Sequence, residues 1–162
     1  MSYRDKIVAR EALRAAVAAL PRPLVFTNGV FDLLHPGHID YLAAARALGR
    51  ALLIGLNSDT SVRLLDKGGD RPINPEHDRA LMLAGLESVS AVTMFDERTP
   101  LALLEIVRPD LYVKGGDYDV ATLAEAAMVN SWGGRARAID FLSGYSTTRL
   151  IEQIRASTPE RR

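Results

Sequence analysis

Short apolar runs alternate along the chain with longer stretches in which apolar residues recur every three or four positions. The runs are LVFT (Leu24 to Thr27), ALLIGLN (Ala51 to Asn57), SAVTMF (Ser90 to Phe95), LYVK (Leu111 to Lys114) and ARAIDF (residues 136–141). They lack polar alternation and are bounded by turn formers, which predicts strands buried on both faces. Between them the period is helical. It predicts a helix over 37–48 with Ile39, Leu42, Ala43, Ala47 and Leu48 along its inner side and Gly49 as its stop. Further helices are predicted over 60–65, 76–86, 100–107 and 120–131, the last ending before Gly133-Gly134. A final helix starts from a cap at Thr147 or Thr148 and runs to about Arg155. Residues 1–22 read as a solvated amphipathic helix closed by Pro21, 23–156 as one domain, and 157–162 as a frayed tail.

Strand and helix alternate throughout. The expected fold class is α/β, an open, mostly parallel five-stranded sheet covered by helices on both faces. Right-handed crossovers place all strand C-termini along one edge, and ligands bind at that edge in open α/β sheets. The polar interruptions of the pattern collect there: Asn28-Gly29, Asn57-Ser58-Asp59, Lys114 to Asp117 and the turn from Gly144 to Thr148.

Composition narrows the function. The 162 residues carry 20 basic and 20 acidic side chains, a formal net charge of zero, and 48% apolar residues. There is no overall positive field for nucleic acid, and no apolar run of transmembrane length. The N-terminus does not read as a signal peptide. With no cysteine, disulfides, thiolate metal sites and cysteine nucleophiles are excluded, in keeping with a cytoplasmic protein. Of three lysines, Lys67 and Lys114 each precede Gly-Gly-Asp, a compact charge beside flexible backbone.

The segment FTNGVFDLLHPGH, Phe26 to His38, holds two of the three histidines. Gly29 turns the chain after the strand, and Gly37 stands at a helix start flanked by His35 and His38. A helix N-terminus offers free N–H groups and partial positive charge, and imidazoles donate hydrogen bonds, so the segment suits phosphate. It equally suits a plain capped helix. Zinc is set aside, because no third or fourth ligand completes the pair. Asp32 suits an Asx turn, a histidine-orienting contact or a magnesium–nucleotide. Lys114 with Gly116 and Asp117, and Lys67 with Arg71 in the 66–75 loop, suit either anion contacts or solvated turns. Gly144, Ser146, Thr147 and Thr148 form a second hydroxyl-rich helix start.

Taken together, GVFDLLHPGH and GYSTTRL resemble the two signatures of the cytidylyltransferase-like nucleotidyltransferase superfamily, and the resemblance covers about residues 22 to 156. GLNSD, DRPINPE, MFDERTP and RPDLYVKGGDY are similar to one branch, the D-glycero-D-manno-heptose 1-phosphate adenylyltransferases. That resemblance implies a Rossmann-like fold. It implies transfer of AMP from ATP to a heptose 1-phosphate, giving ADP-heptose for lipopolysaccharide and pyrophosphate. It implies Mg²⁺ arriving with ATP, no metal-ligating side chains, and a homodimer. The kinase domain that some members carry has no room here. Carried over, His35, His38 and Lys114 act on the phosphates. Thr27, Asn28, Gly29, Phe31, Gly37, Asn57, Asp59, Gly116, Asp117, Gly144, Ser146, Thr147 and Thr148 hold the nucleotide. Asp32, Lys67 and Arg71 contact the substrate, with Asp32 near the sugar phosphate or magnesium. One departure is Glu125-Ala126-Ala127, where many relatives carry Gly, a basic residue and Glu. A CTP- or GTP-using enzyme of the same fold with another phosphorylated acceptor, such as glycerol 3-phosphate, and a non-enzymatic nucleotide-binding module are the alternatives.

Overall fold

The computed structural model describes residues 2–65, 70–116, 119–140 and 142–157. Five strands form one sheet: β1 Leu24–Gly29, β2 Ala51–Asn57, β3 Ala91–Phe95, β4 Leu111–Gly115 and β5 Arg135–Ile139. Their order is β3-β2-β1-β4-β5, and every pairing is parallel. Among the described residues seven α-helices accompany them: α1 Leu13–Ala19, α2 Pro36–Ala47, α3 Asp59–Leu64, α4 Glu76–Ala84, α5 Leu101–Val107, α6 Ala124–Ser131 and α7 Thr147–Ala156.

Successive strand residues point to opposite faces, and the chain fills both. Val25, Leu52, Ile54, Leu56, Val92 and Val113 pack against Tyr41, Leu42 and Ala45 of α2 and Ala80, Leu83 and Ala84 of α4. Leu24, Phe26, Leu53, Phe95 and Tyr112 pack on the other side against α1, α5 and Val129 of α6. Double burial explains why the strands read as unbroken apolar runs.

Four local expectations are corrected. Residues 1–22 are not one solvated helix. Two 3-10 turns, Tyr3–Lys6 and Arg10–Ala12, flank an extended pair, and only Leu13–Ala19 is α-helical. Val8 N–H donates to Val92 O at 2.8 Å, so the free edge of β3 captures this segment, and Leu13 and Val17 are buried. The inner face of α2 is Tyr41, Leu42 and Ala45, while Ile39, Ala43 and Ala47 are exposed. Tyr41 turns inward because its hydroxyl finds buried partners in Thr27 Oγ1 at 2.6 Å and Val113 O at 3.3 Å. The 120–131 helix is divided into a 3-10 turn, Val120–Thr122, capped by Asp119, and α6. Finally, α7 is capped by Ser146, whose Oγ accepts from Arg149 N–H at 3.1 Å, and not by Thr147 or Thr148. Of the expected tail, residues 158–162 lie outside the described residues.

Candidate active site

The strand order reverses direction at β1: the chain moves to β2 and β3 on one side and to β4 and β5 on the other. The crevice beyond the carboxyl ends of β1 and β4 is the switch point at which such sheets bind ligands. A cleft of about 560 Å³ opens there, with Asn28, Gly29, Phe31, His38, Arg71, Lys114, Thr147 and Thr148 in its wall. Tyr112 Oη donates to Asn28 Oδ1 at 2.9 Å and ties β4 to β1 across the crevice.

The loop from β1 to α2 is shaped by close approaches. Phe31 has a left-handed backbone, φ 47°, which turns its ring back toward Gly29. A Cβ on Gly29 would stand 2.9 Å from the Phe31 ring, so a larger residue there would push the ring from its place. The Phe31 ring meets His38 edge-on, with centroids 5.3 Å apart. His35 is the N-cap of α2 but makes no side-chain cap, and Pro36 follows at the first helical position. The imidazoles of His35 and His38 stack at 3.8 Å between centroids and 19° between planes.

This pair has unused hydrogen-bonding capacity. Nδ1 of each ring is buried without a partner among the described residues. Burial lowers the His35 pKa below its ordinary value. Burial, with His35 as a neighbour adding to it, lowers His38 to about 4. Both rings are therefore neutral at pH 7, ready to donate or to take a proton when an anion arrives.

A second helix start stands beside the first. Gly144, φ 88°, turns the chain into the Ser146 cap, and Thr147 Oγ1 donates to Leu33 O at 3.3 Å, tying α7 to the β1–α2 loop. A further cavity of about 610 Å³ lies on the other side of this turn, lined by His35, Gly144, Tyr145, Ser146 and Arg149 among others. Two helix N-termini thus converge on the histidine pair, an arrangement suited to a polyanion.

Not every expected residue belongs to this wall. Thr27 is buried on Tyr41. Asn57 is also buried, with Nδ2 donating to Ser61 Oγ, and Asp59 pairs with Arg79 at 2.7 Å. In this structure these three side chains carry structural contacts, as polar groups at strand ends inside the fold must be satisfied. Asp32 does line the cleft, and its side chain is engaged there by the neighbouring loop. It accepts from Arg71 Nη1 at 2.8 Å, from Ile73 N–H at 2.9 Å and from Asn74 N–H at 2.9 Å, with its side chain 1% exposed. Burial alone would raise its pKa, but the Asn74 and Ile73 amides and Arg71 together hold it below the ordinary carboxylate value. Its oxygens clasp the 71–74 loop at the cleft wall. Arg71, though paired, still lines the cleft. Gly116, φ 105°, donates its N–H to Ile139 O at 3.0 Å and closes β4 against β5. Lys67 and Asp117 lie outside the described residues. Glu125 is partly exposed on α6, and Ala126 beside it is buried.

Arg79 was not singled out as a site residue from the sequence. Its side chain is fully buried. Nε donates to Asn74 O at 2.9 Å, Nη1 to Val30 O and Asn57 O at 2.7 Å each, and Nη2 to Asp59 Oδ1. It joins the β1–α2 loop, the end of β2 and the 71–74 loop. The signal was present: Arg79 shares a helical stripe with Ala80, Leu83 and Ala84, and a cation on an apolar stripe must find partners inside.

Fold and site together define a nucleotidyltransferase class. The chain belongs to the cytidylyltransferase-like family, whose sequence model matches residues 26–153. Within it the chain stands with the heptose 1-phosphate adenylyltransferases. It is 58% identical over 155 residues to the D-beta-D-heptose 1-phosphate adenylyltransferase of Bordetella bronchiseptica, covering 94% of this chain and 96% of that protein. It is 49% identical over 157 residues to the bifunctional protein HldE of Syntrophotalea carbinolica, covering 95% of this chain and 32% of that longer protein. Among solved structures, a lipopolysaccharide core biosynthesis protein from Thermoplasma volcanium superposes with a TM-score of 0.61 at 27% identity, over 74% of this chain and 95% of that one. A pantoate-beta-alanine ligase from Francisella tularensis, 14% identical, shares the fold with a TM-score of 0.59 over 92% of this chain and 76% of its own.

Proposed function

We propose that this protein transfers AMP from ATP to a D-heptose 1-phosphate, releasing pyrophosphate and forming the ADP-heptose used in lipopolysaccharide. The observation that carries the reading is the convergence of two helix N-termini on the stacked pair His35 and His38 at the switch point. The near-full-length relative named for this activity supports the choice of acceptor and its β anomer.

In the reaction, a phosphate oxygen of the sugar attacks the α-phosphorus of ATP. The new O–P bond forms as the bond to the bridging oxygen breaks, and pyrophosphate leaves with that electron pair. The attacking oxygen is already ionised near neutral pH, so no general base is needed. What the protein supplies is alignment and charge stabilisation. His38, with the amides of the α2 start, faces the cleft and donates to the phosphates. Thr147, Thr148 and the α7 amides grip from the other side. Lys114 and Arg71 flank the acceptor phosphate.

We infer that Mg²⁺ enters as the ATP complex. Among the described residues no group of three or more His, Asp or Glu could hold a metal, and Asp32 is engaged by the 71–74 loop. Among the described residues the side chains form no metal cage. Magnesium of this kind keeps several waters and binds largely through substrate phosphates. We also read the protein as a cytoplasmic homodimer; sedimentation at the monomer mass would refute the dimer.

The test is pyrophosphate release with ATP, CTP and GTP against both anomers of heptose 1-phosphate and glycerol 3-phosphate. ATP with the β-heptose phosphate is expected to dominate, and a preference for CTP or for glycerol 3-phosphate would refute the reading. Excess EDTA is expected to abolish turnover, and full activity in chelator would remove magnesium from the reaction.

A further inference from the structure

Tyr145 is a large aromatic residue left 47% exposed beside the site. Its ring lies nearly parallel to His35, 19° between planes with centroids 6.2 Å apart, and His35 stacks in turn on His38. We propose that Tyr145 is a positioning residue for the reaction: its ring completes a three-ring column with His35 and His38 and couples the start of α7 to the histidine pair.

Three observations converge on this role. A working histidine is usually oriented by a hydrogen bond to its second ring nitrogen. Here Nδ1 of His35 and of His38 has no partner among the described residues, so beside the Leu33 backbone contact of His38 it is ring stacking that holds the pair face to face. Gly37 makes room for the column. A Cβ there would stand 3.1 Å from His35 Nδ1 and 3.2 Å from Tyr145 Cβ, so any side chain would press on both. Tyr145 also precedes the Ser146 cap directly, and Thr147 Oγ1 is bonded to Leu33 O. The turn that offers amides and hydroxyls to phosphate is therefore the turn that brings the ring onto His35. Seating phosphate at α7 and fixing His35 become one event.

The inference rests on the adenylyl-transfer reading, and its test separates the two. The chain has only three histidines, so their ring signals can be assigned by single substitution. A nuclear Overhauser contact between the Tyr145 and His35 rings is expected in the wild-type protein, and its absence would overturn the proposal whatever the activity. Tyr145→Ala is expected to lower kcat roughly 2- to 10-fold, the worth of one aromatic pair, with KM for heptose 1-phosphate unchanged. Tyr145→Phe keeps the ring and is expected to retain both the contact and kcat. Wild-type kcat in Tyr145→Ala, or a Tyr145→Phe enzyme as slow as Tyr145→Ala, would refute ring positioning. ATP titration followed on the His35 signals reads the coupling without turnover: the ATP-induced shift is expected to shrink in Tyr145→Ala, and an unchanged shift counts against it. A wild-type protein that makes no ADP-heptose would instead strike the proposed function.

Discussion

Replacing Arg79 by methionine removes a fully buried guanidinium while keeping an unbranched side chain of similar length. Four acceptors lose their donor: the carbonyls of Val30, Asn57 and Asn74 and the carboxylate of Asp59. Breaking a buried charged pair by removing one partner costs about 3–5 kcal/mol, and each carbonyl left dry adds about 1–3 kcal/mol. Two effects bring the sum down. The Asp59 side chain is 25% exposed and can recover some hydration, and water can enter the space around the freed carbonyls. A loss of about 3–5 kcal/mol is the expected net result. For a domain of this size that lowers Tm by roughly 6–20 °C. Arg79→Lys keeps the charge but not the fork that reaches three separate chain segments, so it should recover less than half of the loss. The assay is thermal and urea unfolding of the three proteins, followed by KM for ATP on those that fold. Because Val30 and Asn74 belong to the loops that frame the cleft, KM should rise in both variants. A Tm for Arg79→Met within about 2 °C of wild type would refute the reasoning.

Three other outcomes follow from the site. His38→Ala should reduce kcat about 10²–10³-fold in a folded protein, and near wild-type turnover would dismiss His38 as a transition-state donor. His38 is held neutral, with its pKa lowered to about 4, so between about pH 6.5 and 4 the unfolded chain binds a proton that the folded one does not. Stability should fall as pH drops through that window, and His38→Asn should flatten the slope in urea titrations; an unchanged slope would disprove it. Asp32→Asn should cost on the order of 3 kcal/mol, because Arg71 and two loop amides lose a carboxylate, and a double-mutant cycle with Arg71→Ala should show coupling. Additive effects in that cycle would show that the clasp is not energetically real.

Much of the site was legible in the sequence because its parts are local. His35 and His38 occupy the first turn of one helix, and the Ser-Thr-Thr turn opens another. Neither needs a distant partner to be recognised as a helix start suited to anions. The polar residues at the end of β2 show the opposite. Asn57 and Asp59 carry polar chemistry at the same edge of the sheet, and their partners Ser61 and Arg79 could not be read from the pattern. Asp32 is claimed by residues about 40 positions later in the chain. Which polar group is spent on structure and which is left for a ligand depends on long-range partners that periodicity does not report.

By itself the sequence determined the alternation of strands and helices, the parallel sheet and the edge at which chemistry gathers. These follow from apolar periodicity and from the handedness of crossovers, which are properties of short segments. Only the tertiary structure decided how the β3 edge captures residues 7 and 8, which face of α2 turns inward, and that Arg79 knits three loops together. It alone set His35 against His38 and Tyr145, because ring stacking and the neutrality of buried imidazoles require groups from opposite ends of the chain to meet out of water.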